Sequence, residues 1–168
     1  ARDSLLALYR DSADADARAG MAYASLLSGI TLAQVGLGSV HGLASPLGAF
    51  FPIPHGVLCG TLVAAATAVN IRALREREPR HPALSRYARV GRLLTREARV
   101  DDAEAGDALV ALLDQWTRLL GLPTLDRFGI TPEDHPRIVA SSRGSSMKTN
   151  PIVLEDAEIT EILEARQA

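Results

Sequence analysis

An all-α domain of about seven or eight helices is the fold class this sequence predicts, and three observations predict it. Apolar residues recur at spacings of three and four along much of the 168-residue chain. No stretch sustains period-two alternation. From Ala19 to Ile71, 53 consecutive residues carry no Asp, Glu, Lys or Arg. Hydrophobic residues make up 47% of the chain, enough for a real core at this length. The net charge of −2 gives no general attraction to nucleic acid or an anionic membrane. With three Phe, three Tyr and one Trp, the chain has no aromatic platform for stacking bases. The single cysteine, Cys59, cannot form an internal disulfide, so the fold needs no oxidising compartment. A cytoplasmic location is expected.

The elements follow in order. Ala1-Arg2-Asp3-Ser4-Leu5-Leu6-Ala7-Leu8-Tyr9 has helical apolar spacing without a clear N-cap, the pattern of a helix entered partway. No signal peptide is visible in this stretch. Within the charge-free block, Pro46, Pro52 and Pro54 raise the idea of a membrane hairpin. Val57 to Val69 is only 13 residues, short of the roughly 20 a bilayer needs, and Gln34 and His41 lie in the other half. The block is therefore read as a pair of fully buried helices whose small residues let their backbones approach. Pro82 to Arg99 places Leu84, Tyr87, Gly91, Leu94 and Ala98 on one face, with Arg86, Arg89, Arg92 and Arg96 opposite. Glu104 to Leu120 aligns Leu109, Leu112, Trp116 and Leu120, and Gly121-Leu122-Pro123 ends it. Thr131-Pro132 reads as an N-cap followed by proline at the first helical position. A loop from Ser141 to Pro151 precedes a last helix carrying Ile159, Ile162 and Leu163.

Several local patterns invite chemistry and fail on context. Arg72 to Arg99 holds nine Arg and three Glu, but the Asp101–Ala168 region balances at −7, so a solvated, compensated face is expected. Gly36-Leu37-Gly38-Ser39-Val40-His41 mimics the start of a dinucleotide fingerprint, yet the third glycine position is His41 and no strand precedes it. Ser145-Ser146-Met147-Lys148 matches S-x-x-K without its partner motifs, in an expected loop. His55 and Cys59 are four apart on one helix, a spacing that can clamp zinc. A lone cysteine in an apolar helix is ordinarily a small hydrophobe, and Cys59 is read as one. The strongest signal is His41 with His55. Each is followed by glycine, which is read as leaving room around the ring. Each is a good ligand type for a divalent metal, and a proline-bounded turn from Ser45 to Pro54 could bring them together. On spacing alone two satisfied core histidines are the safer reading, and two imidazoles are too few for a metal site, so other ligands would have to come from elsewhere.

The run from Gly36 to Gly48, with Ile53-Pro54-His55-Gly56-Val57 after it, resembles the signature of the iron-containing alcohol dehydrogenases. That family carries H-x-x-x-H-x-x-G and then P-H-G, with the first and last His fourteen positions apart, the separation of His41 and His55 here. Ala19 to Ser25 resembles the family helix leading into the motif. Lys148-Thr149-Asn150-Pro151 resembles the end of the loop before the final helix. The resemblance covers essentially the whole chain and implies the C-terminal, all-α, dehydroquinate synthase-like domain over residues 1–168.

By that resemblance, His41 and His55 are two ligands of a divalent metal, iron or alternatively zinc. The family's Asp and first His, in a D-x-x-x-H element, are expected upstream of Ala1, as is the α/β domain that mainly binds NAD or NADP. Leu37 is assigned to the cofactor side. Ser45 stands where the family has a His implicated in proton handling, and a hydroxyl cannot act as a base near pH 7. The implied reaction is hydride transfer between an alcohol and the nicotinamide, with the metal polarising the substrate oxygen. The isolated chain is expected to be inactive. Rival readings are a dehydroquinate synthase or glycerol phosphate dehydrogenase type of enzyme, and a non-catalytic helical module. The expected partner is a small alcohol or aldehyde, with no nucleic acid, no membrane, and room for a homodimer.

Overall fold

The computed structural model describes all 168 residues and divides them into two compact units, Ala1–Gly36 and Leu37–Ala168. Every regular element is helical.

The first unit holds α1 (Leu5–Arg10) and α2 (Ala15–Leu32). The Asp14 carboxylate accepts from the backbone N–H groups of Asp16 and Ala17 and so starts α2. Only Ala17 is buried in α2, while Tyr23, Leu26 and Ile30 are 63%, 60% and 54% exposed. This corrects the reading of the charge-free block as two fully buried helices. Apolar content supplies a reason to be buried, but within its unit α2 has only the six-residue α1 to pack on.

The second unit comprises α3 (Ser39–Phe50), α4 (His55–Arg77), α5 (Pro82–Thr95), α6 (Asp102–Leu119), α7 (His135–Ser141), α8 (Ser145–Lys148) and α9 (Asp156–Glu164). Two 3-10 turns, Leu125–Phe128 and Pro132–Asp134, join α6 to α7. At its centre is α4, packed against α3, α5, α6 and α9. Leu58, Leu62 and Leu74 on α4 are fully enclosed, together with Leu43 and Leu47 of α3 and Ile159, Ile162 and Leu163 of α9. With 23 residues, α4 is longer than the Val57–Val69 segment expected. By length and composition it could cross a membrane, but here most of its apolar surface is covered by neighbouring helices. The extra turns carry arginines that reach acids on α6 and α9. Arg75 pairs with Asp107 at 2.7 Å, Arg72 with Glu161 at 2.5 Å and Arg77 with Glu158 at 2.8 Å. Together with Arg92, paired with Asp102 at 2.6 Å, four of the nine arginines of the segment are thus tied to the acidic region that follows it.

Cap chemistry sets most boundaries. Asp101 and Glu104 form a capping box at the start of α6, as do Glu155 and Glu158 at α9. Arg96, in the left-handed region at φ 65°, ends α5 at Thr95, short of the Arg99 expected. Gly91 is required by a close approach: a Cβ there would fall on the Ala105 carbonyl of α6. The Ser141–Pro151 loop contains a short helix that was not expected, α8, seated by the buried side chain of Met147. Pro46 lies inside α3 rather than in the turn, so the connection to α4 is only Phe51–Pro54. Its ring is buried in the core, and the helix forfeits one hydrogen bond there.

Candidate metal centre

The short connection folds α4 back on α3 and brings His41 of α3 to His55 at the first position of α4. Their ring centroids lie 5.3 Å apart with planes inclined at 51°. One turn along α4, Cys59 Sγ stands 3.4 Å from His55 Nε2 and 3.8 Å from His41 Nε2. One ligand atom from each of the three side chains falls within a 4.8 Å group. His55 is exposed, whereas His41 and Cys59 are half-buried. Burial, and then the neighbouring His55, hold His41 below the ordinary imidazole range. It is therefore neutral at pH 7, the form that offers a ring nitrogen to an ion. Burial pushes the Cys59 thiol up. Two imidazoles and a thiol are a donor set that suits zinc and related divalent ions, so the residues present fit a metal.

A polar clamp holds α3 in place. Asn150 Oδ1 accepts from Ser39 N–H at 3.0 Å, and Asn150 Nδ2 donates to Asn70 Oδ1 at 2.7 Å and to Ile152 O at 2.8 Å. Asn70 Nδ2 donates in turn to Ser39 Oγ, and Thr149 Oγ1 donates to Leu37 O. The first turn of α3, two residues before His41, is thereby bonded both to α4 and to the loop before α9. Sequence reasoning passed over Asn70, and it met Asn150 only as part of the Lys148-Thr149-Asn150-Pro151 segment, with no role for its side chain. It also read Gly42 as leaving room for the His41 ring. The structure corrects this: a Cβ on Gly42 would lie 2.8 Å from Met147 Cε, so the space serves the packing of α8. Gly56 does face open space.

The second unit matches known proteins by both sequence and shape, as part of a match along nearly the whole chain. Residues 2–167 match the model for "Fe-containing alcohol dehydrogenase family, C-terminal". The chain belongs to the iron-containing alcohol dehydrogenase family. Alcohol dehydrogenase 4 of Saccharomyces cerevisiae is 27% identical over 164 residues, 96% of this chain and 40% of the yeast protein. Lactaldehyde reductase of Escherichia coli K12 is 33% identical over 131 residues, 77% of this chain and 32% of that protein. The structure of an alcohol dehydrogenase from Oenococcus oeni superposes with a TM-score of 0.86 at 23% identity, over 98% of this chain and 42% of that one. That last likeness is one of fold. The chain thus spans about 40% of the length of the curated yeast relative.

In this member of the family, His41 lies between two hollows. A cleft of about 340 Å³ is lined by Leu37, His41, Cys59, Asn70, Tyr87 and Asn150 among others. A smaller hollow of about 80 Å³ is lined by His41, Ser45 and the serines of the 141–146 segment. Leu37 and His41 therefore share the larger cleft, and Ser45 does not line it. Cys59, read from sequence as a small hydrophobe, packs half-buried against the core, with its Sγ also within reach of both imidazoles.

Proposed function

We propose that this chain is the metal-holding helical part of an NAD- or NADP-linked alcohol dehydrogenase that oxidises a small alcohol or reduces an aldehyde or ketone. The observation that carries the reading is the convergence of His41 and His55 from two helices onto one point, in a chain of this family. A divalent ion held there would polarise the oxygen of the bound alcohol or carbonyl compound. The chain's own residues do the positioning. His41 and His55 would hold the ion through their ring nitrogens, and the Asn70–Asn150–Ser39 clamp fixes the helix from which His41 projects. The cleft beside His41 supplies apolar walls from Leu37, Val63 and Ala66, which can shed water around a small substrate and a nicotinamide ring. Leu37 is assigned to the cofactor side of that cleft. Ser45, in the smaller hollow on the other side of His41, can pass a hydrogen bond but not act as a base near neutral pH.

The chain has no strand–glycine turn–helix unit to seat a pyrophosphate, so hydride transfer needs a nucleotide-binding partner domain. The 168-residue chain, given NAD or NADP, simple alcohols and zinc or iron, is expected to show no turnover above a metal-only control. In a two-domain enzyme carrying this chain, His41→Ala or His55→Ala should abolish alcohol oxidation together with metal content. Turnover by either variant with undiminished metal would end the reading.

A further inference from the structure

The hollow of about 80 Å³ beside His41 is walled mainly by serines. Ser45 comes from α3, one turn beyond His41, while Ser141, Ser145 and Ser146 come from the end of α7 and the start of α8. Ser142 lines the hollow too, but its buried hydroxyl donates to Val139 O at 2.8 Å. The hydroxyls of Ser45, Ser141, Ser145 and Ser146 make no hydrogen bond within the chain. No Asp, Glu, Lys or Arg lines the hollow, and the guanidinium of the adjacent Arg143 is engaged by Leu154 O and Asp156. Each free hydroxyl can donate one hydrogen bond and accept others. An anion placed here would meet no cation, and an alkyl group would strip water from the hydroxyls without replacing it. At about 30 Å³ per water molecule in the liquid, the space suits two or three groups of that size.

We propose that this hollow is a subsite for a second hydroxyl of the substrate, read by Ser45 and Ser146, and that the preferred substrate is a short neutral polyol or its hydroxyaldehyde. This rests on the two-histidine reading above and narrows its small alcohol to one class. His41 lines both the larger cleft and the hollow, so a molecule held beside His41 can extend into the hollow. Residues four apart on a helix face are separated by about 5–6 Å, which a chain of two or three carbons spans. Ser45 and the half-buried Ser146 stand on different helices, so they can bond one hydroxyl from two sides. A site that bonds a substrate hydroxyl rejects the analogue lacking it, because the site's own polar groups are then left unpaired. The subsite acts in binding only, and no bond is made or broken there.

Glycerol and 1-propanol are the probes, because they match in carbon count and differ in hydroxyls. The 168-residue chain in excess zinc is titrated with each and followed by amide chemical shifts, with zinc content measured on the same samples. Glycerol should bind about tenfold more tightly than 1-propanol and should shift the amides of Ser45, Ser141, Ser145 and Ser146. Ser45→Ala and Ser146→Ala should each lower the preference for glycerol about three- to tenfold at the parent's zinc content. Circular dichroism checks that both variants fold. In a two-domain enzyme carrying this chain, the same variants should raise KM for glycerol more than KM for 1-propanol. Equal binding of the two alcohols, glycerol that leaves the serine amides unshifted, or a preference that neither variant lowers overturns the subsite and leaves the two-histidine reading standing. Zinc uptake that survives both His41→Ala and His55→Ala overturns that reading and the proposal with it.

Discussion

Helices α2 and α4 come from the same charge-free block and have similar apolar composition, yet they have opposite fates. α4 is covered by four other helices and buries eleven residues along its length, from Leu58 to Leu74. α2 buries Ala17 alone and leaves Tyr23, Leu26, Leu27 and Ile30 more than two-fifths exposed. Composition sets the gain available from burial, about 25 cal/mol per Å² of apolar surface, but neighbours decide whether the gain is realised. The candidate metal centre lies where the packed half of this contrast meets solvent. His55 and Cys59 flank the buried Leu58 in the first turns of α4, and His41 projects from a helix pinned by the Asn70–Asn150–Ser39 clamp. A metal site needs ligands that are already in place, and the closely packed half of the block supplies them.

The sharpest way to break the contrast is a matched pair of truncations. Leu62→Ala, in the sealed core, should destabilise the second unit by about 2–5 kcal/mol in urea unfolding. A smaller but still clear loss is expected from Asn150→Ala, which removes the acceptor of Ser39 N–H and the donor to Asn70 Oδ1. Leaving such groups unpaired costs about 1–3 kcal/mol, and amide exchange at the first turn of α3 should quicken more than exchange in α9. A uniform change across the unit would show that the clamp does not act locally.

Acidification gives a smaller effect. His41 has a lower affinity for protons in the folded chain than in the unfolded one, because burial and then His55 disfavour its charged form. Below the unfolded imidazole value of about 6.5 the unfolded state therefore binds the extra proton more readily. Stability is held above that pH and falls as the pH drops below it, and in metal-free protein His41→Asn should flatten this slope. An equal slope in the variant would place the titration elsewhere. Least of all should come from Leu26→Ala on α2, which is expected to stay within about 0.5 kcal/mol of the parent chain. A loss comparable to that of Leu62→Ala would mean that α2 is covered in solution after all.

The parts of the fold legible in the sequence are those decided locally. α5, α6 and α9 declare themselves by three–four apolar spacing, and the end of α6 by Gly121, which takes a positive φ. The fourteen-residue spacing of His41 and His55, with prolines between, suffices to expect the rings to meet. What escaped is tertiary. Whether α2 has a neighbour cannot be read from α2. The link from Asn150 to Asn70 spans 80 residues of chain. The reach of Cys59 Sγ to the His41 ring likewise depends on a second helix.

The most direct test of the account is a zinc titration of the 168-residue chain alongside His41→Ala, His55→Ala and the double variant. One shared site predicts that each single variant loses more than about tenfold in affinity. It also predicts that the double variant loses little beyond the weaker of the two, because residues acting on one ion are not additive. Wild-type affinity in either single variant, or independent and additive losses, would show that the two histidines do not hold a common ion.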